Sequence, residues 1–377
     1  AFIRSPGAGV NELQFLSVSG DLRTVGKPRR LILPQRAINY PAWTEDGREV
    51  VFSAGFAGEK GLWRVAISGA GEPRPLALPA EKAVHPQISR DGRRLVYAAV
   101  SVAYNLWRME ISPRENTLPH RITPSTQWDT DPQYSPDGRR IAFTSLRSAD
   151  GEIWTCDPDG SNAVRVTSLP FSHASRWFPD GRRIAFQSNK EGDFDVWVID
   201  AEGGAPKRLT TGPANEYYPS VSRDGKSIYF ASNRTGRYEI WRMPSDGGEA
   251  VQVTRQGGAI PFESADGKDV YYLKVMTTPS ELWRAPVGGG EEAKVLDSVT
   301  QRAFAVRQDG IYFLRPLEPL GGVSLQFFRF ASRTSAEIAK IERRTAYGLT
   351  VAPDGRSVIY PLQEQSNADL MLVDNFR

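Results

Sequence analysis

Short apolar runs with alternating polar positions recur along the chain, and most are broken by an Asp-Gly pair. QYSPDGRRIAFTS, RWFPDGRRIAFQS and SVSRDGKSIYFAS are three instances. Asp-Gly between two alternating runs is a strong hairpin signal, because Gly accepts the positive φ of a tight turn. The pairs begin at Asp46, Asp91, Asp137, Asp180, Asp224, Asp266, Asp309 and Asp354, at spacings of 45, 46, 43, 44, 42, 43 and 45 residues. About 17 residues after the Asp comes a third run, carrying Trp63, Trp107, Trp154, Trp197, Trp241 and Trp283 in six repeats. A fourth run follows a Gly-rich turn, as in the segments ending at Thr210 and Thr254. Four short strands per repeat, repeated eight times, predict an all-β fold: a single β-propeller of four-stranded antiparallel blades. Eight blades is the expected count, with seven as the alternative.

The repeated Trp is expected to fill the wedge between blades, with Met371 taking its register in the eighth repeat. Repeat seven has Gln326 there and is expected to be irregular, with RPLEPLGGV (315–323) as its longest inserted loop. Closure is expected from strands at both termini, which would remove the exposed edges of an open array. Residues 1–377 then form one propeller domain, with 1–38 and 346–377 jointly making the closing blade. Leu13 to Val18 is a surplus strand, expected outside that blade or as a fifth strand.

Composition narrows the classes. A length of 377 residues would ordinarily suggest two or three domains, and the repeat overrides that expectation. The single Cys excludes an internal disulfide and a cysteine metal cluster. Basic residues number 47 against 44 acidic, a net charge of +3 with no long basic run. The Arg-Arg pairs after the turns (Arg93-Arg94, Arg139-Arg140, Arg182-Arg183) would be spread around a ring, so direct nucleic-acid contact is not expected. No apolar run approaches the roughly 18–20 residues that span a bilayer. The chain begins with Ala and shows no signal-peptide pattern, which reads as a processed chain or an excised fragment.

Enzymatic motifs are absent: there is no G-x-S-x-G, H-E-x-x-H or P-loop. The acid-rich loops at 157–162 and 188–195 are explained by turn geometry. Registering the repeats gives a better candidate. The residues six and seven before each Asp-Gly enter the innermost strand at a channel mouth. They include Tyr40, His85, Asp131, His173, Tyr217, Tyr218, Arg302 and Tyr347, and two positions further in lie Gln87, Gln133 and Arg176. Aromatic surface with convergent polar groups on a rigid scaffold is the default ligand site. No cofactor is expected; a zinc ion held by His85, Asp131 and His173 is the metal alternative.

The unit P-x-[W/Y/V]-S-x-D-G-[RK]-x-I-x-F-x-S resembles the WD40-like, PD40-type repeat of TolB-type propellers, most closely over residues 130–167 and 216–254. The opening GVNELQFLSVSGDLRTVGKPRRL and the closing ADLMLVDNFR are similar to the propeller sensor half of bacterial winged-helix transcription regulators. The resemblance implies a non-catalytic module that binds a peptide, protein or small ligand at the channel mouth. It would serve as such a sensor domain or as a TolB-like periplasmic scaffold. The expected form is a monomer, periplasmic or otherwise extracytoplasmic, with the cytoplasm as the alternative. The competing function is an enzyme: a metal-dependent hydrolase or lyase, or the gating domain of a prolyl-oligopeptidase-type peptidase.

Overall fold

The computed structural model describes all residues except 8–9, 22, 32–37, 55–60, 70, 79–81, 112–117, 149–150, 301, 318–320 and 377; of the side chains, 5–11 and 365 are also left aside. Every regular element among the described residues is a β-strand. They form two compact units, one of Ala1–Val102 with Gln365–Arg377 and one of Ala103–Glu364.

The larger unit is a ring of six sheets. Five are built in chain order from four antiparallel strands each, starting with Asp129–Tyr134, His173–Trp177, Glu216–Val221, Ala259–Glu263 and Phe304–Val306. The sixth begins with Thr350–Val351, which adjoins both Asp129–Tyr134 and Phe304–Val306 and so closes the circle of innermost strands. Its second strand is the start of Ser357–Asp374, with Val351 opposite Val358. Its third and fourth strands come from much earlier in the chain. They are the end of Arg94–Glu110 and His120–Arg121, with Trp107 opposite Arg121. Tyr360 and Val358 share a buried cluster with Met109, and the Trp107 Nε1 donates to Glu364 at 2.6 Å.

The exchange has a sequence cause. Elsewhere a Gly or Pro falls between the second and third strands, as Gly151, Gly192 and Gly236 do. Residues 98–106 (AAVSVAYNL) and 363–370 (QEQSNADL) contain neither Gly nor Pro. Without residues that turn the chain, both segments continue extended, as strands of 17 and 18 residues. Each then finds a third-strand partner other than its own hairpin.

The smaller unit holds the first repeat as a four-stranded sheet, Asn39–Trp43 to Arg74–Pro75, and the strands Ala83–Ile88 and the start of Arg94–Glu110. Met371 and Val373 pack there against a cluster containing Leu62, Leu95 and Tyr97, and Arg94 pairs with Asp374 at 3.1 Å. Phe2–Gly7, Val10–Val18 and Thr24–Leu31 form a separate three-stranded sheet whose Leu13, Phe15 and Leu31 pack on Val50, Phe52 and Val65.

Several expectations change. Six sheets surround the axis of the larger unit, where the repeat predicts eight blades, or alternatively seven, for the whole chain. The closing blade joins residues 350–362 to 103–121, and residues 1–31 take no part in it. Repeat seven is a four-stranded sheet with a register shift between Leu325 and Gln326, and its hairpin pairing runs out to Leu317 opposite Gly322; the tip of the expected loop, 318–320, lies outside the described residues. The wedge residues are chiefly the second-strand aromatics opposite the tryptophans. Phe143, Phe186, Phe230 and Tyr272 are fully buried, and of their partners Trp154, Trp197, Trp241 and Trp283 only Trp197 is. A cation covers each of these indoles: Arg147, Lys190, Arg234 and Lys274, at 5.3, 5.8, 4.7 and 3.9 Å.

Candidate functional site

Seven of the eight Asp-Gly turns are closed by a main-chain amide donating to the Asp carboxylate, Asp309 excepted. In the turn at Asp137, the Ser135 hydroxyl donates to the carboxylate at 2.6 Å and the Arg139 amide donates to it at 3.1 Å. These bonds, the hydroxyl first, hold the Asp137 carboxyl below its usual range. The hydroxyl bond recurs in the turns at Asp46, Asp91, Asp224 and Asp266, whereas Phe178 and Ala352 take its position before Asp180 and Asp354.

The outer entry to the innermost strands is a bulge. Between Thr130 and Gln133 the register shifts by one, and the same shift falls between His173 and Arg176, Tyr217 and Ser220, and Ala259 and Phe262. One residue at each entry takes a left-handed backbone: Asp131 (φ 51°), Ala174 (56°), Tyr218 (54°), Ile260 (55°) and Arg302 (60°), with Gly348 (96°) in the sixth sheet. Such φ values are uncommon outside Gly and rare for a β-branched residue. Their recurrence in chemically unrelated residues makes the bulge a device of the repeat.

These bulges gather a polar cluster in the larger unit. Arg302 Nη2 lies 3.4 Å from Asp131 Oδ2, and its guanidinium sits 3.8 Å from the Tyr347 ring centre and 4.8 Å from that of Tyr218. The Asp131 amide donates to the Tyr347 carbonyl at 2.7 Å. Gly348 permits this approach, since a Cβ there would stand 2.8 Å from the Asp131 Cα. His173 packs against Gly151, and its Nε2 is buried without a hydrogen-bond partner. Burial pushes the imidazole down to about 4, against the pull of Asp131 and with the push of Arg302, so it is neutral at pH 7. Tyr217 packs in tilted contacts against Phe194, Tyr218 and Tyr238 at 4.9, 5.7 and 5.7 Å.

Beyond the cluster, toward the turns, the six innermost strands enclose a cavity of about 350 Å³. Gln133, Arg176, Ser220, Phe262, Ala305 and Thr350 face it, one from each strand. Gln133 also ties neighbouring sheets together, its Oε1 accepting from the Trp177 amide at 2.7 Å. Arg176 is nine-tenths buried, donates from Nη1 to the Ser175 carbonyl at 2.7 Å and lies 4.8 Å from the Phe262 ring centre. Among the described residues no carboxylate lies within 4.0 Å of it. Burial lowers its pKa to about 10, so it stays cationic at neutral pH.

Arg223, Glu263 and Arg307 also line this cavity, and the sequence reading passed over them. A signal was present: Arg223 replaces the Pro that precedes Asp-Gly in SPDG and FPDG. Glu263 is committed, its two oxygens accepting from the Tyr229 hydroxyl at 2.8 Å and the Arg223 amide at 2.6 Å. Arg223 and Arg307 donate to the carbonyls of Val306 and Pro353, at 3.2 and 2.6 Å. Three arginines face one glutamate, so two positive charges lining the cavity have no counter-charge there.

The remaining sequence candidates lie in the smaller unit. Tyr40 and His85, both left-handed at φ 50° and 54°, stack with ring centres 3.6 Å apart, and Gln87 is exposed. Among the described residues, no group of three or more His, Cys, Asp or Glu is placed to hold a metal ion. In the loop at 157–162, Asp157 and Asp159 accept from Asn162 and Ser161, consistent with turn geometry. Cys156 is buried, its thiol pushed up to about 12 chiefly by burial. No helix among the described residues is long and apolar enough to cross a membrane.

Four-stranded antiparallel sheets built on this repeat, arranged around an axial cavity, define a β-propeller. Residues 168–342 match the family model described as the TolB beta propeller domain, PD40. TolB from Acinetobacter baumannii is structurally similar at a TM-score of 0.50 and 15% identity, over 88% of this chain and 79% of that one. A chain of a nidogen/laminin complex gives 0.51 at 12% identity, over 66% of this chain and 97% of that one. At such identities the likeness is one of fold. An uncharacterized protein of Agrobacterium fabrum is 33% identical over 75 residues, 20% of this chain; the match spans 24% of that relative.

Proposed function

We propose that the chain is a non-catalytic recognition module that binds a peptide segment, a protein partner or a small ligand in the axial cavity of its larger unit. The observation that carries this reading is the cavity itself: about 350 Å³, faced by one side chain from each of six rigid strands. That size falls within the range of ligand sites, and its mixture of an aromatic ring with a few fixed polar groups is typical of them. The mouth cluster of Asp131, His173, Tyr218, Arg302 and Tyr347 supports the cavity from the outer side. Apart from His173, its groups are spent on one another, with the carboxylate on a guanidinium and that guanidinium on two rings.

The TolB-like fold and the repeat pattern favour an extracytoplasmic setting, as the sensor half of a membrane-anchored regulator or as a periplasmic scaffold. Fractionation of cells expressing the native gene with a C-terminal tag tests the location. A cytoplasmic tag would remove the scaffold reading.

Ala305→Trp tests the site, since it places an indole in the cavity from a partly exposed position. The full chain and this variant are compared by thermal shift against a panel of organic acids, amines, neutral sugars and short peptides. At least one probe is expected to raise the melting temperature of the wild type and not of the variant. A panel that shifts both proteins equally, or neither, refutes the site.

A further inference from the structure

We propose that the axial cavity is a receptor for an acidic ligand carrying two carboxylates, one seated on Arg176 against Phe262 and the other held by Arg223 and Arg307. The proposal rests on the reading that the cavity binds a ligand, and it names the chemistry of that ligand.

Three observations converge. Arg176 is nine-tenths buried in the cavity wall, with a single hydrogen bond to a carbonyl and no carboxylate within 4.0 Å among the described residues. A buried cation without a counter-charge is costly, and proteins retain one where a ligand supplies the partner. Glu263 does not serve: its carboxylate lies more than 4.0 Å from the Arg176 guanidinium, and its two oxygens accept from Tyr229 and the Arg223 amide. The nearest other acid, Asp131, is engaged by Arg302.

The second position lies nearer the turns. Arg223 and Arg307 line the cavity together with a smaller depression that also includes Ala265 and Gln308. They are close enough that the like charge of Arg307 helps hold the Arg223 guanidinium below its ordinary pKa, in addition to desolvation. Each spends one Nη on a carbonyl, which fixes the guanidinium and leaves its other donors free. Planar guanidinium groups held in this way favour carboxylates through paired, charge-assisted bonds. The Phe262 ring lines the same cavity beside Arg176, packs edge-on to Phe304 at 4.9 Å and offers an apolar surface next to the first position. The ligand is therefore a small diacid or a short segment with two acidic groups and an apolar or flat part. A free dicarboxylic acid has this chemistry, and so does a peptide segment with two acidic side chains.

Isothermal titration calorimetry of the full chain tests this. The probes are glutarate, citrate, a five-residue peptide of glutamates flanking a phenylalanine, and its glutamine counterpart. An acidic probe is expected to bind once per chain, with a dissociation constant that rises with salt. Arg176→Gln is expected to weaken it about tenfold or more, as befits loss of a buried charge-assisted bond. Arg223→Gln and Arg307→Gln should weaken it less, from the open end. Arg140→Gln, which removes an ion pair to Glu202 on the outer surface, should leave it unchanged. If Arg176→Gln fails to fold, Ala305→Glu provides the test, because a negative charge in the cavity should abolish acid binding. Tighter binding of glutarate or citrate assigns the ligand to free acids, and tighter binding of the acidic peptide assigns it to a protein segment. The proposal is overturned if the glutamine peptide binds as well as its acidic counterpart, if no acid binds at millimolar concentration, or if Arg176→Gln and Ala305→Glu leave binding intact. Binding of a neutral probe that Ala305→Trp abolishes, with no acid binding, would retain the cavity as a site and refute the acidic ligand alone.

Discussion

Acidification should weaken the larger unit through one imidazole. His173 is held at about 4 in the folded protein against 6.5 in an unfolded chain, chiefly by burial beside Gly151 and Arg302. Between those values the unfolded chain binds a proton that the folded chain refuses. The stability His173 contributes is therefore fully present above pH 6.5 and is lost as pH falls toward 4. The full difference corresponds to about 3 kcal/mol, and to about 2–3 kcal/mol once the partial exposure of the residue is allowed for. With only His85, His120 and His173 in the chain, imidazole proton resonances can be followed one by one. The His173 signal should stay in its neutral position from pH 8 to 5. Asp131→Asn should lower its midpoint further and Arg302→Gln should raise it, because those two neighbours act in opposite directions. Carboxylates also titrate near pH 4, so the stability comparison is a difference between wild type and His173→Gln in urea at pH 7 and pH 4.5. The variant should lose less. A His173 midpoint between 6 and 7, or equal losses in both proteins, would refute the assignment.

Other outcomes follow from packing and backbone geometry, each measured by urea unfolding followed by circular dichroism. Phe230→Ala should cost about 3–5 kcal/mol, because the ring is fully buried in a cluster that also contains Phe178, Val196 and Val198 of the preceding sheet. A cost under 1 kcal/mol would show that the second-strand aromatics do not hold neighbouring sheets together. Gly348→Ala should cost about 2 kcal/mol or more, since the new Cβ would meet the Asp131 Cα at 2.8 Å in a left-handed conformation. Ala174→Gly should be nearly neutral, because relief of a φ of 56° offsets about 0.8 kcal/mol of lost methyl burial, whereas Ala142→Gly in a regular strand should cost about 1–2 kcal/mol. Equal effects at the two alanines would mean that the bulge carries no backbone strain.

The repeat was legible because it rests on local chemistry. Asp-Gly turns are closed by their own residues, as Ser135 and Arg139 close the turn at Asp137, and eight copies leave no doubt about the strand pattern. The positions that face the cavity were legible for the same reason: with period-two alternation fixed by the turn, Gln133, Arg176, Ser220, Phe262, Ala305 and Thr350 must share a face. The count around the axis was not legible from spacing. It depends on which third strand pairs with which second strand, and that is a long-range choice. The local hint was negative, namely the lack of Gly or Pro in AAVSVAYNL and QEQSNADL, and a missing turn does not say where an extended strand will pair. The tryptophans misled for a different reason. Trp and its cross-strand Phe share one face of the blade, and only three-dimensional packing decides which ring is buried and which one a cation covers.

The bulge explains how one repeat can carry varied chemistry. In the larger unit its left-handed position holds Asp, Ala, Tyr, Ile, Arg and Gly in turn, so the backbone imposes the conformation and the side chain is free to differ. Position in the ring then decides the use. Asp131 and Arg302, on sheets separated in sequence by 171 residues, meet because the ring closes through Thr350–Val351. Arg176 stands two positions past such a bulge, with no carboxylate within 4.0 Å of it among the described residues. The same geometry that satisfies one buried arginine leaves another without a counter-charge, and the cavity lies against the second.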